Sequence, residues 1–311
     1  MPNQASAPGH ARRLPRGHLL ALNTSFRLTL EQEDKSPRTV EAYTDAVRLL
    51  AAYCQATGQP LLARELTRDH IRAFIVDQLA HWKPATAHQR YRSLHAFFHW
   101  ATEEGELPAS PMDGMKPPQL REQPVGVVRA EHLAQLLRTC EGRDFTSRRD
   151  TAIILLLVDT GMRRAECVGI KLDDVDLEQK LVWVLGKGRR PRALPLGRKT
   201  AQALDRYLRA REDHRLAYLP HLWLGRNGHM TASGIYQVVR DRARAAGLAH
   251  MHPHQLRHAF ATAWLAEGGN ENELMLVAGW KSRVMIDRYT KATAAERARA
   301  SHARLSPADR L

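Results

Sequence analysis

The sequence predicts a mainly α-helical protein with one small antiparallel β-sheet, and three observations lead there. Apolar residues recur at helical spacing behind recognisable caps through most of the chain. One stretch behaves differently: Leu181 to Leu185 and Arg192 to Leu196 read as strands flanking Gly186-Lys187-Gly188-Arg189-Arg190, the last two of a three-stranded meander over about Asp174 to Leu196. Between two groups of helical segments lie Pro108, Pro111, Pro117, Pro118 and Pro124, which mark residues 107–127 as a semi-rigid linker. A chain of 311 residues has room for two units of ordinary size.

Residues 1–17 hold Pro2, Pro8, Gly9, Pro15 and Gly17 with arginines and no acid, and read as a disordered basic arm. Residues 18–106 read as a small helical bundle. Its first helix carries Leu19, Leu22, Phe26 and Leu30 inward. Ser36-Pro37 is an N-cap followed by proline at the first helical position, and Val40, Tyr43, Val47, Leu50 and Cys54 form the stripe behind it. Thr67 caps a third helix with Ile71, Phe74, Ile75 and Leu79 inward. A fourth runs from Pro84 to Gly105 with Tyr91, Leu94, Phe97, Phe98 and Trp100. Arg38, Arg48, Arg64, Arg68, Arg72, Lys83, Arg90 and Arg92 fall on the outer faces. Thr86, His88, Gln89 and Arg92 on the fourth helix are of the types that reach bases or phosphates in a major groove.

Residues 128–292 form the second unit. A helix from Ala130 to Cys140 precedes a run, Ile153 to Val158, that is apolar all round and therefore buried. Gly161 ends that helix, so Arg163 emerges at the edge of a rigid core. Helices follow the meander at Arg198 to His214 and Thr231 to Ala246. Pro253 opens another, with Leu256, Phe260 and Ala263 at buried spacing and His254 and Arg257 on one face of its first turns. Arginine and histidine at a helix N-terminus suit an anion such as phosphate. In 293–311, Thr293-Ala294-Ala295-Glu296 is a capping box opening an Ala- and Arg-rich tail helix.

Charge narrows the function. A formal net charge of +14 puts a polyanion first among partners. The three cysteines, Cys54, Cys140 and Cys167, form no C-x-x-C, which fits a reducing cytoplasm and excludes a disulfide framework. The run Ala152 to Val158 is too short to span a bilayer, so no membrane role is expected. Two clusters resemble metal sites. His250, His252, His254 and His258 lack the glutamate of H-E-x-x-H and enclose Arg257, which would repel a cation. Asp173, Asp174 and Asp176 sit where aspartate serves local turns. Neither supports a metal.

Taken in order, Arg163 within Thr160-Gly161-Met162-Arg163-Arg164-Ala165-Glu166, Lys187 on a hairpin, His254-Gln255-Leu256-Arg257, Trp280 and Tyr289 form a series over about 130 residues. The series resembles the tyrosine recombinases of the phage-integrase family, including the nine residues from Trp280 to Tyr289. The resemblance implies an N-terminal helical core-binding domain and a C-terminal tyrosine-recombinase catalytic domain. It also implies a double-stranded DNA substrate with specific recombination sites, a homotetramer on DNA, a covalent 3′-phosphotyrosyl intermediate and no cofactor. Accessory proteins belong to some such systems.

On that resemblance Tyr289 is the nucleophile, and Arg163 and Arg257 clamp the non-bridging oxygens. Lys187 protonates the departing 5′-oxygen, with Arg189 and Arg190 beside it on the DNA, and His254 assists proton transfer. Trp280, where histidine is commoner in the family, either donates its indole N–H or packs the pocket. Glu166 orients Arg163 or His254. Two other readings stay open: a monomer of type IB topoisomerase character, and a DNA-binding regulator that does not cut.

Overall fold

The computed structural model describes residues 14–120, 128–186, 191–248 and 251–280, and near the end 282, 283, 285, 286, 299, 302, 306 and 308–310. Two compact units divide the chain, Met1–Gln123 and Pro124–Leu311. No described helix is long and apolar enough to cross a membrane.

The first unit is a bundle of α1 (Leu19–Gln32), α2 (Pro37–Thr57), α3 (Arg68–His81) and α4 (Pro84–Glu103). Its helices begin where the caps dictate: the Ser36 hydroxyl accepts from the Thr39 N–H at 3.2 Å, and Thr67 accepts from His70. Phe26 stands at the centre, 5.5 Å from Phe97 and 5.2 Å from Trp100 between ring centroids. The Trp100 indole N–H donates to Thr29 at 3.0 Å, which satisfies the polar edge of a buried ring.

Three expectations need correcting here. Leu79 is exposed and Gln78 is buried in its place on α3. Gln78 tolerates burial because its amide donates to Asp77 at 2.8 Å and its oxygen accepts from Arg90. Arg90 is accordingly half-buried rather than solvent-facing, with its guanidinium 4.7 Å over the Trp82 ring. The stretch read as a linker from residue 107 is packed on this unit over its first part. Leu107 and Met112 lie in the core, and the Tyr91 hydroxyl donates to the Met115 carbonyl at 2.6 Å. Prolines stiffened this segment, but two large apolar side chains docked it.

The second unit runs α5 (Ala130–Arg138), α6 (Phe145–Thr160), α7 (Arg164–Gly169), β1 (Val175–Asp176), β2 (Leu181–Leu185), β3 (Pro191–Pro195), α8 (Arg198–Glu212), α9 (Ala232–Ala245), α10 (Pro253–Ala266) and α11 (Glu271–Ala278). Helix α6 is the axis of its core, with Ile153, Ile154, Leu156 and Leu157 buried and α8, α9 and α10 packed around it. Asp150 on α6 is buried between Arg149 and Arg242, whose Nε reaches it at 2.9 Å and ties α9 to the axis. The sheet is antiparallel in the order β1-β2-β3, with Val182 opposite Leu194 and Val184 opposite Arg192. Asp174 and Asp176 accept from the Lys171 and Gln179 N–H groups at 2.8 Å each, the local turn bonding their positions suggested. On α10 the buried stripe runs through Leu256, Phe260, Ala261 and Leu265, and the expected Ala263 is exposed. The short α7, unread in the sequence, starts one residue after Arg163.

Candidate active site

Gly161 terminates α6 in the left-handed conformation, with φ at 57°. The chain then turns so that Arg163 caps the start of α7 and Glu166 points back at it. One Glu166 oxygen accepts from the Arg163 backbone N–H at 2.7 Å, and the other accepts from its guanidinium at 2.9 Å. The remaining terminal nitrogen of Arg163 donates to the Gly279 carbonyl at 3.0 Å. Arg192, on β3, binds the same carboxylate through both terminal nitrogens at 2.9 Å. Burial by itself would raise the Glu166 carboxyl. Hydrogen bonds from Arg192 and from the Arg163 N–H, with the Arg192 charge, outweigh it and hold the carboxyl below the usual range.

Helix α10 supplies the facing wall. Pro253 occupies its first turn, His254 is exposed there, and Arg257 is 4% exposed one turn on. Arg257 donates to the Gly161 carbonyl and, at 2.7 Å, to the Ala278 carbonyl, and its guanidinium lies 5.2 Å over the Trp280 ring. The His254 ring meets His258 edge-on at 4.4 Å. Trp280 is buried with Phe260, Leu265 and Ile286, and also lines the cleft.

These side chains surround a cleft of about 390 Å³ lined by Arg163, Arg164, Tyr236, His254, Arg257 and Trp280, with Met285 at its side. Convergent cations over a partly apolar floor suit a phosphate ester: the charges bind the oxygens and the floor excludes water. The structure thus brings together Arg163, Glu166, His254, Arg257 and Trp280. Lys187, Arg189, Arg190 and Tyr289 lie outside the described residues, as does most of the 293–311 tail. In the first unit Gln89 and Arg92 are exposed on α4, while Thr86 and His88 are half-buried.

Two features escaped the sequence reading. The first is Arg192, which the sequence reading gives only as the start of a strand and which turns inward onto Glu166. Period-two alternation carried the signal, since Arg192 shares a strand face with buried Leu194 and an inward arginine needs an acid. The second is a stack along one wall, with the Arg164 guanidinium 5.7 Å over Tyr236 and that ring 6.4 Å from His252. No local pattern joins these residues from separate elements.

Residues 127–296 match the phage integrase family, and residues 22–105 match the N-terminal SAM-like domain of phage integrases. The chain belongs to the phage integrase family. This family member is 34% identical over 239 residues to tyrosine recombinase XerC of Pseudomonas savastanoi pv. phaseolicola, covering 73% of this chain and 76% of the relative. It is 33% identical to XerC of Corynebacterium efficiens, over 82% of this chain and 81% of that one. Its fold is similar to that of the XerH site-specific recombinase bound to palindromic difH substrate, with a TM-score of 0.72 at 18% identity over 89% of this chain and 84% of that one.

Proposed function

We propose that the protein is a site-specific DNA recombinase that cuts and rejoins strands through a phosphotyrosyl bond on Tyr289. The observation that carries this reading is the meeting of Arg163, His254, Arg257 and Trp280 around one cleft. Met285, four residues before Tyr289, lines the same cleft.

In the reaction the Tyr289 phenolic oxygen attacks phosphorus and the bond to the 5′-oxygen breaks. The 3′-phosphate is left on the protein, and the ester retains the energy needed for religation. Arg163 and Arg257 donate to the non-bridging oxygens as these gain charge, each worth roughly 3–4 kcal/mol if it acts as an oxyanion-hole donor does. His254 takes the phenolic proton or passes it on, and Lys187 supplies a proton to the departing 5′-oxygen. Glu166 orients Arg163. The indole of Trp280 packs the pocket or offers its N–H to the phosphate. None of these steps calls on a metal or nucleotide.

Two relatives in fold are a lambda integrase dimer bound to a core site and a lambda integrase tetramer bound to a Holliday junction. By analogy this chain acts on duplex DNA as an assembly of copies, a tetramer when strands are exchanged, in the cytoplasm, with or without accessory proteins. Residues 18–106 serve as the core-binding domain, 128–292 as the catalytic domain and 293–311 as a tail that couples neighbours. Thr86, His88, Gln89 and Arg92 touch DNA from α4, and Arg189 and Arg190 touch it beside Lys187.

Selection from random-sequence duplex DNA would recover the binding site, and a nicked form of that duplex would trap the cut intermediate. Wild-type protein is expected to form a covalent adduct that survives denaturing gels, with and without EDTA. Tyr289→Phe should bind normally and form none. An adduct with Tyr289→Phe would move the nucleophile elsewhere, and adduct formation abolished by EDTA would overturn the metal-free mechanism.

A further inference from the structure

The chemistry above leaves Arg192 without a task, although it makes three hydrogen bonds at the site. It donates to both oxygens of Glu166 at 2.9 Å and through Nε to the Val277 carbonyl at 3.3 Å. Its guanidinium also lies flat against Gly279, where an added Cβ would stand 2.9 Å from Cζ. Its side chain is 17% exposed, against 41% for Arg163. Arg192 is thus turned away from a ligand in the cleft, while Arg163 faces one.

The charges explain the arrangement. Glu166, with its side chain 4% exposed, is a buried carboxylate shared by two guanidiniums, so the group of three keeps one net positive charge. Were Arg192 absent, Arg163 would be the only cation bonded to that carboxylate among the described residues. A buried carboxylate with one cation draws it in and cancels its field, because the low dielectric magnifies the attraction. Arg163 would then be an inward-facing ion pair with little charge left for phosphate.

We infer that Arg192 is a positioning residue that takes up the charge of Glu166 so that Arg163 stays available to the scissile phosphate. The inference rests on the reading of Arg163 as a phosphate clamp. Arg192 itself need not touch DNA. It also joins the hairpin strand β3 to the carbonyl end of α11, so a purely mechanical role as a staple is the competing explanation. The two differ in what repairs the defect. A staple is restored only by the bidentate arginine, whereas a charge balance is restored by any cation at 192 or by removing the charge at 166.

The test is single-turnover cleavage of the nicked duplex described above, with binding of the intact duplex measured in parallel. Arg192→Met is expected to cleave at least roughly tenfold more slowly, about 1.4 kcal/mol in the barrier, with binding within a few-fold of wild type. Arg192→Lys and the double variant Arg192→Met/Glu166→Gln should each recover most of the rate. Arg192→Met cleaving at the wild-type rate would overturn the inference, and so would a slow Arg192→Met that neither companion repairs. If Arg192→Met does not fold, the double variant decides: a folded double variant near the wild-type rate supports the charge balance, and one as slow as Arg163→Ala refutes it. Failure of the wild-type protein to form an adduct would instead strike the reading of the whole site.

Discussion

Gly161 meets two demands at one position. Its φ of 57° belongs to the left-handed region, and a Cβ there would fall 2.2 Å from the Phe260 ring. Its carbonyl accepts from Arg257, so backbone strain at 161 passes directly to a side chain proposed to bind phosphate. Gly161→Ala is expected to cost roughly 2–4 kcal/mol in stability and to slow cleavage by more than that loss explains, because Phe260 must move on the helix that carries Arg257. Urea denaturation with single-turnover cleavage at a temperature where the variant is folded checks both parts. Normal cleavage by the folded variant would show that α10 absorbs the shift. At this scale Arg163, His254, Arg257 and Trp280 were legible because their spacing repeats a known series. Arg192 was not, because Arg189, Arg190 and Arg192 together look like one basic patch until strand alternation separates the last of them.

Elements were legible wherever a cap and a stripe agreed. Ser36-Pro37, Thr67 and Pro84 each started a helix of the first unit where expected, and the meander fell at its expected place. On α3 the misreading has a clear cause: apolar character was taken as the criterion for burial where satisfied polarity decided it. Gln78 displaced Leu79 inward because Arg90 and Asp77 complete its hydrogen bonds. Arg211 on α8 makes the point more strongly, being 3% exposed with no carboxylate bonded to it among the described residues. It donates instead to carbonyls of the loop after α8: Leu222 at 3.2 Å, Ala217 at 3.1 Å, His221 at 2.8 Å, and Leu219. That loop has little regular structure to satisfy its carbonyls, and one guanidinium does the work of a strand partner. Arg211→Met should lower stability by roughly 2–4 kcal/mol, since several buried acceptors lose a charged donor at once. The urea midpoint would report it, and a change under about 0.5 kcal/mol, the size of an ordinary surface substitution, would mean that water replaces the guanidinium.

Over the whole molecule, the division into two units and the mainly helical class followed from the proline cluster and the periodicity. The place where one unit ends did not, because Leu107 and Met112 belong to a core that no local pattern reveals. The charge of +14 points to a polyanion before any motif is considered. What composition could not show is how three arginines from separate elements close on one helix end. Arg192, Arg257 and Arg163 hold the Val277, Ala278 and Gly279 carbonyls in turn, so the orphan acceptors at the end of α11 are all occupied.

That anchorage sets the length of a leash. Trp280 and Ile286 are both buried just beyond the anchored carbonyls, and Tyr289 follows Ile286 by three residues. Three residues at full extension span about 11 Å, so chain length alone keeps the proposed nucleophile within that reach of Ile286. Within it the local concentration of the phenol far exceeds that of a neighbour's, as for any short tether. Each copy in an assembly should therefore attack with its own tyrosine. Mixing Arg163→Ala protein with Tyr289→Phe protein on the nicked duplex should yield no adduct, and an adduct from that mixture would mean that the tyrosine crosses between copies.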